Sequence, residues 1–202
     1  MRKILIILTL LCFGFITGYA SDMQNSSEKN KKINQLTRGA KLTDLIESPN
    51  DKWIAFVKKR NFVVPKNCSY FFSKGDHADE IWIVNTEKMT KKLLVPPHFT
   101  CSDVTKLIID PHHLRFSLDS KTLYFETSAW VTSGAVHAVN IDEKNERFVT
   151  DGTELQIVQT GSYKGDLIVS QHRYHDKGGS YNWDWLFTPA GKQIKLYKKE
   201  DD

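Results

Sequence analysis

Seven histidines are the side chains in this sequence best suited to hold a metal or move a proton, and their spacing decides whether they can. His112 and His113 are adjacent, so on an extended chain their rings point to opposite sides and do not easily share an ion. His172, His175 and Asp176 have a loop-like spacing, but no third and fourth ligand follows at a recognisable interval. No metal site is expected. The sequence has no G-x-S-x-G elbow and no H-E-x-x-H pair, and the acidic pairs Asp79-Glu80 and Asp142-Glu143 fall in polar turns, where charge is ordinary. Cys68 carries no local signature of a catalytic thiol. No catalytic residue, cofactor or enzymatic activity is expected.

Two stretches suit binding better. The first, residues 127–137, presents Trp130, Thr132, Ser133 and Gly134 in succession between two strand-like segments. The second, residues 172–183, gathers Arg173, Tyr174, His175, Tyr181 and Trp183 around the glycine pair Gly178-Gly179. Tyr, Trp and Arg anchor interfaces, while Ser and Gly add adaptable hydrogen bonds at low entropic cost. The candidate partner-binding residues are therefore Trp130, Thr132, Ser133, Gly134, Tyr174, His175 and Tyr181. Trp183 and Trp185 lie on a strand and are expected to pack back on their sheet.

Composition sets the surroundings of these loops. Arg2 and Lys3 precede an apolar run, Ile4 to Ile16, with Gly18 and Ala20 behind it, the pattern of a secretory signal peptide cut after Ala20. The run is shorter than the roughly 20 residues a bilayer needs, so no membrane span is expected in the mature chain. A periplasmic location follows. Export would leave Cys68 and Cys101 in an oxidising compartment, where a bridge between them is expected. It would close a loop of about 30 residues and contribute roughly 3–4 kcal/mol. Of 28 basic and 24 acidic side chains, Arg2 and Lys3 leave with the signal, so 26 face 24 in interspersed order. A nucleic-acid surface would show a basic stripe instead, so no nucleic-acid partner is expected.

The elements that must carry the loops are strands. Residues 21–43, rich in Ser, Asn and Lys, read as a mobile leader or one short helix, and the β domain runs over residues 44–202. Strand patterns bounded by turn residues cover 53–57, 80–85, 92–95, 107–109, 122–126, 135–141, 146–149, 154–159, 167–171, 183–188 and 193–197. Two frames repeat. Ser48-Pro-Asn-Asp-Lys-Trp-Ile-Ala-Phe56 and Ser117-Leu-Asp-Ser-Lys-Thr-Leu-Tyr-Phe125 share S-x-x-x-K-x-[I/L]-x-F. Ile81-Trp-Ile-Val-Asn85 and Val136-His-Ala-Val-Asn140 follow them, with a looser third version at Trp183-Asp-Trp-Leu-Phe187. The domain has room for three units, or three and a fragmentary fourth, where closed propellers use four or more blades. The fold class is all-β, an incomplete or three-bladed propeller-like stack of antiparallel sheets, or else two packed sheets of degenerate blades.

SPNDKWIAF with EIWIVN, and SLDSKTLYF with AVHAVN, resemble the propeller repeats of the TolB type. Those blades carry an SPDGK-x-[I/L]-x-[F/Y] turn and strand followed by an [I/L]-[W/Y]-x-[V/M] strand. The first copy has Asp51 at the turn glycine; the second has Leu118 and Ser120 at the proline and glycine. A weaker third copy spans Gly161 to Val169. The resemblance implies a propeller and a scaffold or assembly role among envelope components. The serine-bearing loop on such an exported β body is also similar to periplasmic immunity proteins that neutralise type VI secretion amidase effectors. That likeness implies an inhibitor whose Ser133, with Thr132 and Gly134, enters the cleft of a secreted peptidoglycan hydrolase, a Cys-His amidase.

Overall fold

A computed structural model describes residues 27–60, 78–100 and 102–199 of the chain. The segment expected to be a signal peptide, Cys68 and Cys101 lie outside the described residues, and with them the expected bridge.

The chain divides into two compact units, residues 1–38 and 39–202. In the first, residues 27–36 form a helix that ends where the Thr37 backbone N–H and hydroxyl both donate to the Ile33 carbonyl, at 2.9 and 3.0 Å. Among its described residues the second unit has twelve strands. They are β1 (Ala40–Glu47), β2 (Trp53–Lys58), β3 (Glu80–Asn85), β4 (Thr90–Val95), β5 (His112–Phe116), β6 (Thr122–Ser128), β7 (Gly134–Asn140), β8 (Glu146–Asp151), β9 (Thr153–Ile157), β10 (Leu167–Tyr174), β11 (Ser180–Phe187) and β12 (Gln193–Lys198). The strands form three four-stranded antiparallel meanders, β1 to β4, β5 to β8 and β9 to β12, each a blade in chain order. The first strands of successive blades touch: β5 meets both β1 and β9.

Period-two alternation on β6 and β7 explains why the blades stack. Leu123, Phe125 and Val139 enter a core shared with Ala55, Val57, Ile81 and Ile83 of the first blade. Their neighbours Tyr124, Val136 and Ala138 enter a second core with Leu155, Leu167, Val169 and Phe187 of the third. The middle blade is thus buried on both faces, which one-sided sheets never require. Each fully buried Leu, Ile or Phe in these cores contributes about 1.5–3 kcal/mol.

The repeated frame is one turn made twice. The Ser48 hydroxyl donates to Asn50 Oδ1 at 2.8 Å and accepts from the Trp53 N–H at 3.0 Å, while the Lys52 N–H donates to Asn50 Oδ1 at 3.1 Å. In the second copy Ser117 donates to Asp119 Oδ1 at 2.6 Å and accepts from the Thr122 N–H at 2.9 Å, and the Lys121 N–H donates to Asp119 Oδ1 at 3.1 Å. Asp51 and Ser120, standing at the glycine of the pattern, adopt φ of 58° and 60°. The third copy is a longer loop with Gly165 at φ 90°. Asn85 and Asn140 likewise make one Asx turn twice, each side-chain oxygen accepting from the two backbone N–H groups two and three residues on.

Three sequence expectations change. Residues 107–109, expected as a strand, follow a 3-10 turn at Val104–Lys106 and pair only through a single bridge between His98 and Ile108. Leu107, Ile108 and Ile109 are buried on all sides, so their apolar run reflects burial without a ladder. Two strands also appear where none was expected, β1 and β5, and both open a blade. β1 begins at Ala40, inside the stretch read as leader.

Candidate functional site

Because each blade is a meander, the β2–β3, β6–β7 and β10–β11 connections leave from one end of the blades, and the repeated turns occupy the other. The two loops singled out for binding are the second and third of these connections.

Ser128 pairs with Gly134 at the end of the β6–β7 ladder, and Trp130 N–H donates to the Ser133 carbonyl at 2.8 Å, which tightens residues 129–133 into a small projecting loop. Val131 stands at its tip, 97% exposed. Trp130, 38% exposed, sets the edge of its ring on Phe148 at 6.4 Å, and Phe148 in turn meets buried His137, which stacks on Phe125. This chain of rings fixes Trp130 to the blade. Ser133 is half-buried and its hydroxyl donates back to the Gly134 carbonyl at 3.3 Å. Gly134 is buried beneath the loop, where a Cβ would stand 3.0 Å from the Gly152 and Thr127 carbonyl oxygens. Its work is close backbone approach.

The β10–β11 hairpin supplies the second wall. Full pairing from Leu167–Phe187 to Tyr174–Ser180 carries it outward, and Gly178 and Gly179 at φ 92° and 86° close its tip. On one face His175, Tyr181 and Trp183 stack in sequence at 4.6 and 4.0 Å, with the Lys199 ammonium over Trp183 at 4.8 Å. Trp185 continues the row and packs against the second core, as the strand pattern predicts. On the other face His172 sits 5.0 Å from Tyr174, whose side chain is 67% exposed.

Between loop and hairpin lie two adjoining depressions. One, of about 330 Å³, is lined by Thr105, Trp130, Thr132, Ser133, Phe148, Asp151, His172 and Tyr174. The other, of about 400 Å³, shares Thr132, Ser133 and His172 and continues over Thr153, Glu154, Ser170, Asn182, Asp184, Lys198 and Lys199. The fold therefore unites Trp130, Thr132, Ser133 and Tyr174 in one groove. His175 and Tyr181 extend the hairpin wall outside that lining. Phe148 and Asp151 join the groove without having been singled out, and His172, weighed in the sequence only as a metal ligand, joins it too, since the β7–β8 and β10–β11 registers bring them there. Thr105 is held by Asp103, which accepts from its hydroxyl at 2.5 Å; that bond, first, holds the Asp103 carboxyl below the usual carboxylate range.

Polar ties beneath the groove lock the two blades. Arg173 pairs with Asp151 at 2.5 Å, and buried Gln171 donates to Thr150 Oγ1 and to Asp151 at 3.0 Å.

A separate cluster lies at the start of β5 and the end of β6. His113 adopts φ 48°, and the β5–β6 register slips between His112 and Arg115. That bulge overturns the expectation that adjacent histidines diverge. His112 Nε2 and His113 Nδ1 lie 3.7 and 3.3 Å from Glu126 Oε2, and the rings meet edge to face at 5.0 Å. Among the described residues this is one group whose three ligand atoms lie within 4.8 Å of each other.

Comparison with known proteins supports the architecture. No family model matches the sequence, and no curated protein matches it. Among solved structures, dipeptidyl peptidase 4 from Porphyromonas gingivalis is similar at a TM-score of 0.53 and 12% identity, over 78% of this chain and 24% of that one. The β-propeller domain of the Trilobed protease from Pyrococcus furiosus gives 0.49 and 13%, over 81% and 44%. TolB from Acinetobacter baumannii gives 0.45 and 14%, over 78% and 32%. The chain spans 24–44% of the length of these solved chains. It carries an all-β, propeller-like fold, with three blades among the described residues.

Proposed function

We propose that this chain is a protein-binding platform of the cell envelope, a scaffold or assembly factor that grips a partner in the groove between the β6–β7 loop and the β10–β11 hairpin. One observation carries the reading. Exposed Trp130 and Tyr174 flank one end of a groove that continues over the polar side chains Ser170, His172, Asn182 and Asp184, with Val131 exposed at the tip of the adjacent loop, an arrangement of apolar anchors and hydrogen-bonding floor that suits a protein segment. No helix among the described residues is long and apolar enough to cross a membrane. Export by residues 1–20 places the platform in the periplasm in this reading, and binding without turnover is its task.

The inhibitor reading, against a secreted peptidoglycan amidase, has less to stand on. It needs a serine presented at the loop tip, yet Val131 occupies that tip and the Ser133 hydroxyl donates to the neighbouring Gly134 carbonyl. Affinity capture from envelope extract with the wild-type chain, Tyr174→Ala and Ser133→Arg tests the choice. The scaffold reading expects a resident envelope protein whose affinity for Tyr174→Ala falls by about 2 kcal/mol. Capture of a secreted hydrolase, with binding abolished by Ser133→Arg, would support the inhibitor instead.

A further inference from the structure

We infer that His112, His113 and Glu126 form a binding site for a single divalent cation of the zinc type, independent of the groove and of the partner it takes. Two imidazoles and one carboxylate are a donor set that suits zinc and leaves a fourth position open. Tetrahedral zinc with bonds of about 2.0–2.1 Å needs ligand atoms about 3.3 Å apart. The carboxylate-to-imidazole separations here are 3.3 and 3.7 Å.

Two of the three ligands have a second partner on the ligating group itself, as metal ligands usually do, and the third is placed by its backbone. His112 Nδ1 lies 2.7 Å from the Asp110 carbonyl, an acceptor only, so the proton sits on Nδ1 and Nε2 turns its lone pair toward Glu126. Glu126 Oε1 accepts from the Leu155 N–H at 2.8 Å, which fixes the carboxylate and leaves Oε2 free. The His113 backbone N–H donates to Asp44 Oδ1 at 3.2 Å. The ligands therefore hang from β5 and β6, with supports from β1 and β9.

Two further features mark the site as more than a surface ion pair. Glu126 is 1% exposed, and its Oε2 has no hydrogen-bond partner although two imidazoles stand beside it. A buried carboxylate oxygen without a donor is costly, and a cation would satisfy it. The backbone is also left-handed at both Asp110 and His113, with φ of 43° and 48°, conformations that cost energy in non-glycine residues. Without the turn at His113 the second ring could not reach Glu126. The half-exposed rings of His112 and His113 leave a path for the ion.

Isothermal titration of the full chain with Zn²⁺, and with Mg²⁺ as a hard-cation control, tests the site. One Zn²⁺ per chain and no Mg²⁺ are expected. His113→Asn keeps a residue that tolerates the left-handed backbone, and Glu126→Gln keeps the shape of the side chain. Both should weaken Zn²⁺ more than about 100-fold, beyond the 10–100-fold that loss of an outer partner costs. His172→Ala, in the groove, should leave the titration unchanged. As a second readout, Zn²⁺ should raise the melting temperature of the wild type and not that of His113→Asn, whose circular dichroism stays native. No Zn²⁺ binding by the wild type, binding that survives both ligand substitutions, or loss that follows His172→Ala would each overturn the assignment.

Discussion

Ser48 and Ser117 hold the same post in two blades, and each hydroxyl both donates and accepts within its turn. Replacing either with Ala removes two hydrogen bonds and should cost about 1–2 kcal/mol, read as a lower urea midpoint at constant slope. Asp51 is left-handed without a bond from its side chain to reward it in the turn, so Asp51→Gly should stabilise by about 0.5–1 kcal/mol in the same assay. Asp119 adds a pH dependence that its counterpart Asn50 cannot. The Ser117 hydroxyl, then the Lys121 backbone N–H, hold its carboxyl below the ordinary value. A folded pKa below the unfolded one means a contribution that is complete above about pH 4 and is lost as pH falls through the folded pKa. Asp119→Asn keeps the acceptor and removes the titration, so its stability should fall less than the wild type's between pH 7 and pH 3. Parallel profiles for the two proteins would refute that assignment.

At the scale of elements, the sequence shows most strongly the strands that are buried on alternating faces. β2 and β3 were legible because their apolar positions feed the first core, β6 and β7 because theirs feed both cores, and the turns of all four follow one frame. β1 and β5 were not, although both open a blade. β1 mixes Lys, Thr, Asp and Glu into its ladder, and its pairing with β2 is irregular between Ala40 and Leu45. β5 follows Pro111 and carries His112, His113 and Arg115, so only Leu114 and Phe116 mark its inward face. Its bulge also hid the convergence of the two histidines, since strand alternation holds only where no residue is inserted. The groove was legible in part: loop composition marked Trp130 and Tyr174, whereas Phe148 and Asp151 needed the register. Gly152 tests the junction between the second and third blades. At φ 130°, a Cβ there would stand 2.4 Å from Val169 Cγ1 and 2.5 Å from the Ser170 carbonyl. Backbone does not yield to such a contact, so Gly152→Ala should cost more than about 3 kcal/mol in thermal or urea unfolding, and a near-neutral result would mean the junction is loose.

Over the whole propeller-like unit, repeated turns stand at one end and longer connections at the other, and the proposed function assigns binding to the second end. Shared cores and the Arg173–Asp151 and Gln171 ties keep adjacent blades in fixed register, so the loop and hairpin present one surface. Site-specific photo-cross-linking in the envelope of the source cell tests this most directly. A cross-linking residue is placed in turn at Val131, Tyr174, Glu87 and Lys144, the last two in the turns at the opposite end. Adducts to one and the same protein from positions 131 and 174, with none from 87 and 144, are the predicted result. Adducts from 87 and 144 alone, or none from any position, would contradict a partner-binding groove.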